Sequence, residues 1–147
     1  MIDIEALIPH REPIRVVSEV IELTEESGIV SAAVHECWPL CDGESVSSLV
    51  LIEAIAQTAA LIEGNKRRLE GKDGVKGWLV GIKSADFQVD RIPVHTVLTI
   101  AVKSLYSFDD YGVVEGVVTA DGRVLASAVL QAVRFSDEKI KNMTDKE

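Results

Sequence analysis

Between residues 47 and 68 the chain carries apolar side chains on nearly every face of what reads as one helix: Leu49, Val50, Leu51, Ile52, Ala54, Ile55, Ala56, Ala59, Ala60, Leu61 and Ile62. A surface helix gathers such residues on one stripe, so apolar groups all round require protein on every side. Ser47 or Ser48 is the expected N-cap, placing the helix from about Ser47 to Arg68. Its second half, Asn65 to Glu70, is polar and is predicted to emerge into solvent. The run from Leu49 to Ile62 is interrupted by Glu53 and Gln57 and is too short to cross a bilayer.

Everything else with regular pattern reads as strand. Ile4 to Ile8 is one short helical turn ended by Pro9. Arg15 to Leu23 and Ile29 to His35, joined by a turn at Glu26-Ser27-Gly28, form an expected hairpin. Glu36 to Ser45, with Pro39, Asp42 and Gly43, is a loop feeding the helix, and Gly71 to Gly77 is the loop leaving it. Strand signals follow at Trp78 to Val89, Val97 to Tyr106, Val113 to Thr119 and Val124 to Phe135, the last pair joined at Asp121-Gly122, a strong hairpin signal. One helix needing cover on all sides, among strands only, demands a sheet that curls around it, because a flat sheet covers one face. That requirement selects a small set of α+β folds, first among them the hot-dog architecture, a curved antiparallel sheet around one long central helix. With 147 residues the chain suits one such domain, residues 1–147, with a charged and frayed tail at 136–147. A curled sheet keeps open edges, and pairing two copies removes one from each, so a homodimer is expected.

Charge narrows the partners. A net charge of −9 argues against nucleic acid or an anionic membrane, both of which need clustered cations. The cationic group Lys66, Arg67, Arg68, Lys72 and Lys76 sits where a helix end favours positive charge. Met1 to Glu5 lacks the basic-then-apolar pattern of a secretion signal, and a cytoplasmic location is expected. Cys37 and Cys41 have no second ligand pair and the wrong spacing for a redox motif; free thiols are expected, with no metal and no cofactor.

Two polar residues break the apolar helix, Glu53 and Gln57, one turn apart on the same face. Helix packing does not demand them there. A carboxylate among Leu, Ile and Ala must be paired or hydrogen-bonded, or be shifted by burial towards the pKa range useful for general acid or base work. Alternatively it contacts backbone or an arginine at a dimer interface. Just before the helix, Ser45-Val46-Ser47-Ser48 brings unpaired N–H groups, which near Ser48 suit a developing negative charge on a carbonyl oxygen as well as ordinary capping. Of the three histidines, His10, His35 and His95, His35 has the best claim to the site because its loop leads to the helix start.

These residues resemble a known family, the beta-hydroxyacyl-thioester dehydratases of fatty-acid synthesis. Ile8-Pro9-His10-Arg11-Glu12-Pro13 is similar to that family's opening segment, and Leu51-Ile52-Glu53-Ala54-Ile55-Ala56-Gln57 to the start of its central helix. Gly81-Ile82, Ala85, Phe87 and Arg91-Ile92-Pro93-Val94 resemble its third strand and the following turn, so the match is collinear from about residue 8 to residue 100. The resemblance implies a hot-dog dimer with an acyl-chain tunnel at its interface and loss of water from a 3-hydroxyacyl chain on acyl carrier protein or coenzyme A. Its helix acid falls on Glu53. Its loop histidine, supplied by the opposite subunit, falls on Pro39, and its Pro-Gly before the helix becomes Ser47-Ser48. Two basic positions beside the third strand are Asp86 and Gln88. These departures resemble a divergent branch, some of it encoded with polyketide-like or aryl-polyene pathways, whose members pair with a more usual subunit.

The expected catalytic residues are thus Glu53 and His35, with Asp42, Gly43, Ser47, Ser48, Gln57 and Gly81 lining the substrate site. The leading activity is dehydration of a 3-hydroxyacyl thioester. A thioesterase using Glu53 to activate water, and a non-catalytic acyl-binding or partner subunit of a second hot-dog chain, are the alternatives.

Overall fold

A computed structural model describes residues 2–11, 14–72 and 76–135, the side chains of residues 76, 78 and 135 excepted. Glu12 and Pro13 of the opening motif, residues 73–75 of the loop after the helix, and the tail expected at 136–147 lie outside the described residues. In chain order the elements are α1 (Ile4–Leu7), β1 (Glu19–Leu23), β2 (Ser27–Ala33), β3 (Ser45–Ser47), α2 (Val50–Leu69), β4 (Lys76–Phe87), β5 (Arg91–Pro93), β6 (Val97–Phe108), β7 (Tyr111–Ala120) and β8 (Arg123–Phe135). Six strands form one antiparallel sheet in the order β1-β2-β6-β7-β8-β4, and β3 pairs with β5 in a separate two-stranded piece. The sheet wraps α2, which contacts β2, β6, β7 and β8. This is the hot-dog fold anticipated from the all-round-apolar helix.

The inward row of the sheet explains the wrap. Val30 and Ala32 of β2, Leu98, Ile100 and Val102 of β6, Val118 of β7, and Ala126, Ala128 and Leu130 of β8 are buried. They face Leu51, Ala54, Ile55, Leu61 and Ile62 of α2, which are buried too. Successive side chains alternate across a strand, and β2 and β6 show that alternation in their burial. The closest approach is at Gly116, where a Cβ would lie 2.5 Å from Ile55 Cγ2. Only a residue without a side chain lets the helix sit that deep.

Several boundaries differ from the sequence expectation. Ser47 and Ser48 do not cap α2: the N-cap is Leu49, with no side-chain cap bond, and Ser45–Ser47 is strand β3. The Ser48 N–H instead donates to the Asp90 carbonyl at 2.9 Å, because pairing of β3 with β5 draws the serines into that ladder. Residues 15–17 are not part of β1: Gln57 accepts from the Val16 and Val17 N–H groups, and the Arg15 N–H donates to the Arg11 carbonyl at 2.8 Å. The first hairpin turns earlier than expected, at Thr24 to Ser27, where the Thr24 hydroxyl accepts from the Glu26 and Ser27 N–H groups at 3.2 and 3.0 Å. The poor alternation of Trp78 to Val89 has its cause in two register shifts, at Leu79/Gly81 and Ile82/Ser84. The Asp121-Gly122 turn is as expected, both residues at positive φ (50° and 75°).

Candidate active site

An N-terminal strap fixes the face of α2 that carries Glu53. At Gly64 a Cβ would fall 2.5 Å from the Leu7 carbonyl oxygen, so the missing side chain allows α1 to lie directly on α2. Arg11 then folds the strap back on itself, donating to the Glu5, Ile8 and His10 carbonyls at 2.9, 2.8 and 2.9 Å. Further along, Gln57 holds the strap from beneath. It is fully buried; its Oε1 accepts from the Val16 and Val17 N–H groups at 2.9 and 3.4 Å, and its Nε2 donates to the Ile14 carbonyl at 2.7 Å. The remaining Nε2 hydrogen goes to Glu53 Oε1 at 2.8 Å. One side chain therefore anchors a distant segment and orients the carboxylate one turn away.

His10 arrives beside that carboxylate, with Nε2 3.6 Å from Glu53 Oε1. Both residues line a cavity of about 430 Å³ between α2 and the inner face of β4, β6, β7 and β8. The cavity exists because small residues face each other there. Ala56, Ala59 and Ala60 of α2 oppose Gly112 and Ala132 of the sheet, whereas elsewhere Leu51, Ile55 and Leu61 fill the same space. Gly112, Ala132, Leu79 and Ser107 share one register row. At the far end Arg134 Nη1 donates to Glu63 Oε1 at 2.5 Å, and Lys66 lies 3.6 Å from Glu26. Apolar walls with polar groups at both ends are the usual build of a small-molecule site.

Against the sequence expectation, Glu53 is not buried: its side chain keeps 38% of its exposure in the protomer, on the cavity side. Gln57 is adjacent to it, as the spacing required. The other expected residues are not on this cavity. His35 is exposed, and its Nδ1 accepts from the Cys37 N–H at 3.0 Å. Asp42 and Gly43 are exposed in the loop before β3. Asp42 Oδ1 accepts from the Glu44 and Ser45 N–H groups, each at 2.9 Å, and Arg91 Nη2 is 3.4 Å from Oδ2. Those two backbone donors first, and Arg91 after them, hold the Asp42 carboxyl below its usual pKa. Gly43 has φ 104°, a conformation that favours glycine. Ser47 accepts from the Leu49 N–H at 3.3 Å, and Ser48 is buried. Gly81 lies on β4 against Gln131, whose amide donates to the Tyr111 hydroxyl at 2.8 Å. His10, passed over in the sequence, is the histidine on the cavity. Its signal was present only as part of the opening motif.

Cys37 and Cys41 are free, and among the described residues no group of three or more His, Cys, Asp or Glu side chains is placed to hold a metal. Lys66 and Lys72 of the cationic cluster are each ion-paired with a glutamate, Lys72 to Glu70 at 2.8 Å. No described helix is long and apolar enough to cross a membrane.

The hot-dog sheet around one helix is a fold shared with solved structures titled as a dehydratase complex and as a hypothetical thioesterase. Within it, residues 2–144 match the family model described as ApeP-like, ApeP dehydratase, and the chain belongs to that family. The 3-hydroxyacyl-acyl-carrier-protein dehydratase FabZ of Streptococcus agalactiae serotype V is 28% identical over 138 residues, covering 88% of this chain and 96% of the relative. FabZ of Clostridium botulinum strain Loch Maree is 29% identical over 134 residues, covering 87% and 90%. Among solved structures, the dehydratase heterocomplex ApeI:P of Xenorhabdus doucetiae aligns with TM-score 0.87 and 21% identity over 98% of both chains. A hypothetical thioesterase of Streptococcus pneumoniae with coenzyme A aligns with TM-score 0.63 and 16% identity, over 80% of this chain and 85% of that one.

Proposed function

We propose that this protein is a dehydratase-type subunit acting on a 3-hydroxyacyl thioester carried on acyl carrier protein or coenzyme A. The observation that carries the reading is Glu53: a carboxylate on the apolar central helix, oriented by the Gln57 amide at 2.8 Å and open to a 430 Å³ cavity. Loss of water needs a group that takes or gives a proton at C2 or at the 3-hydroxyl, and a positioned carboxylate is suited to that transfer. The small-residue walls suit an acyl chain, and the FabZ relatives act by name on 3-hydroxyacyl carrier-protein thioesters. The test is turnover of 3-hydroxyacyl thioesters by wild type and Glu53→Gln. Activity lost in the variant supports the proposal; equal activity in both, or none in either even with a second hot-dog chain present, overturns it.

The assembly belongs to the same reading. We place the chain in the cytoplasm as one hot-dog domain that associates through β4. Among the described residues this edge strand pairs with β8 alone, and it exposes Leu79, Val80 and Ile82, an apolar edge that invites a second sheet. A partner subunit of different sequence is the second reading, favoured by Pro39 at the loop position where the resembling dehydratases carry histidine. In that arrangement the other hot-dog chain supplies a loop residue across the interface. His35, Asp42, Gly43, Ser47 and Ser48 are proposed to act on the partner's site across that interface, and Gly81 to support the β4 contact. Co-expression separates the readings: a homodimer with turnover supports the first, and a mixed dimer required for turnover supports the second.

A further inference from the structure

We infer that His10, from the same protomer as Glu53, is a catalytic residue and forms with Glu53 a proton-transfer pair complete within one chain; the inference rests on the dehydratase reading. His10 Nε2 lies 3.6 Å from Glu53 Oε1, and both side chains line the cavity between α2 and the sheet. The His10 ring has no evident structural task. The strap that carries it is already held by three Arg11 bonds, by the Gln57 amide and by the bare backbone contact at Gly64. Its Nδ1 is buried without a hydrogen-bond partner among the described residues, an arrangement disfavoured in a ring placed for packing alone. Leu7 and Pro9 on the same strap also line the cavity.

The chemistry balances with these two groups. Glu53 as carboxylate takes the C2 proton, and the C2–H electron pair becomes the C2=C3 double bond. The C3–O bond breaks, and the departing hydroxyl takes a proton from the His10 imidazolium and leaves as water. Glu53 is then protonated and His10 neutral. The proton passes from one to the other across the 3.6 Å gap, which restores carboxylate and imidazolium. One 3-hydroxyacyl thioester yields one 2-enoyl thioester and one water, with no oxidant or cofactor. Gln57 keeps Glu53 Oε1 turned towards this pair throughout.

The experiment follows 2-enoyl absorbance with 3-hydroxybutyryl and 3-hydroxyoctanoyl thioesters of N-acetylcysteamine, using the full chain as purified and its Glu53→Gln, His10→Gln and His10→Ala variants. Melting curves accompany each. General acid–base contributions of about 10²–10⁴-fold set the expected loss of kcat in His10→Gln, with KM nearly unchanged and melting temperature preserved. Partial recovery of His10→Ala by free imidazole is also expected, and a merely structural histidine does not produce it. Near-wild-type kcat in His10→Gln, with Glu53→Gln inactive, overturns the role of His10 and leaves the dehydratase reading standing. Loss of activity together with a lowered melting temperature and no imidazole rescue assigns His10 to holding the strap, and also overturns it. An inert wild type overturns this inference, whose pair is complete within one chain; turnover that appears once a second hot-dog chain is added leaves the dehydratase reading standing, and its absence there too overturns that reading.

Discussion

Replacing Gln57 by Leu tests how the strap is held. The substitution keeps side-chain volume close to the original but removes every polar atom from a fully buried position. It orphans the Val16 N–H, bonded at 2.9 Å, and the Ile14 carbonyl, bonded at 2.7 Å, and it removes the longer contact to Val17. A buried polar group left without its partner costs about 1–3 kcal/mol, so two such groups predict a loss of ~3 kcal/mol, discounted for relaxation of the strap. In a domain of this size that corresponds to ~6–12 °C in melting temperature. Thermal denaturation at one fixed protein concentration is the assay, since an oligomer's melting temperature depends on concentration. Gln57→Glu provides the contrast. Its carboxylate cannot donate to Ile14 and meets Glu53 at close range, so it is expected to be worse at neutral pH and to improve as the solution is acidified. A Gln57→Leu variant that melts within ~2 °C of wild type, a shift of about 0.5–1 kcal/mol, refutes the account of the clamp.

Three further outcomes follow from the same geometry. Gly64→Ala drives a methyl into the Leu7 carbonyl and should lift α1 from α2, destabilising the chain by about 1–3 kcal/mol; amide hydrogen exchange should show it first in residues 4–17. Gly116→Ala forces α2 outward at Ile55, and a similar destabilisation is expected in denaturant unfolding. Asp42, whose folded pKa is lowered by the Glu44 and Ser45 N–H groups, contributes its stabilisation of the loop above the ordinary carboxylate range. It loses that stabilisation as pH falls through the folded value, so Asp42→Asn should flatten the acid limb of the loop's protection in hydrogen exchange.

The parts of the fold written in local pattern were legible. A helix apolar on all sides called for a curled sheet, and the Asp121-Gly122 turn and the alternation of β2 and β6 followed short-range rules. Where long-range pairing decided the outcome, local pattern misled. Ser47 has the chemistry of a cap, yet the β3–β5 ladder claims it, and Val16 and Val17 have strand composition, yet their N–H groups bond to a side chain on the helix. The site divides in the same way. Glu53 and Gln57 stood out because they interrupt an apolar run. His10 did not, because its arrival at Glu53 depends on contacts from Gly64 to Leu7 and from Gln57 to Ile14 that span more than forty residues. The cavity was equally hidden: alanines on α2 read as core until the register sets Gly112 and Ala132 opposite them.

A crystal structure of the protein with a non-hydrolysable 3-hydroxyacyl thioester bound is the most direct measurement of whether this pocket is where the chemistry happens. The account predicts the acyl chain lying between Ala56, Ala60 and the inner face of β7 and β8, with C2 and C3 within hydrogen-bond reach of Glu53 and His10. A ligand seated elsewhere, or a pocket filled by side chains of a partner subunit with Glu53 sealed into an ion pair, contradicts it.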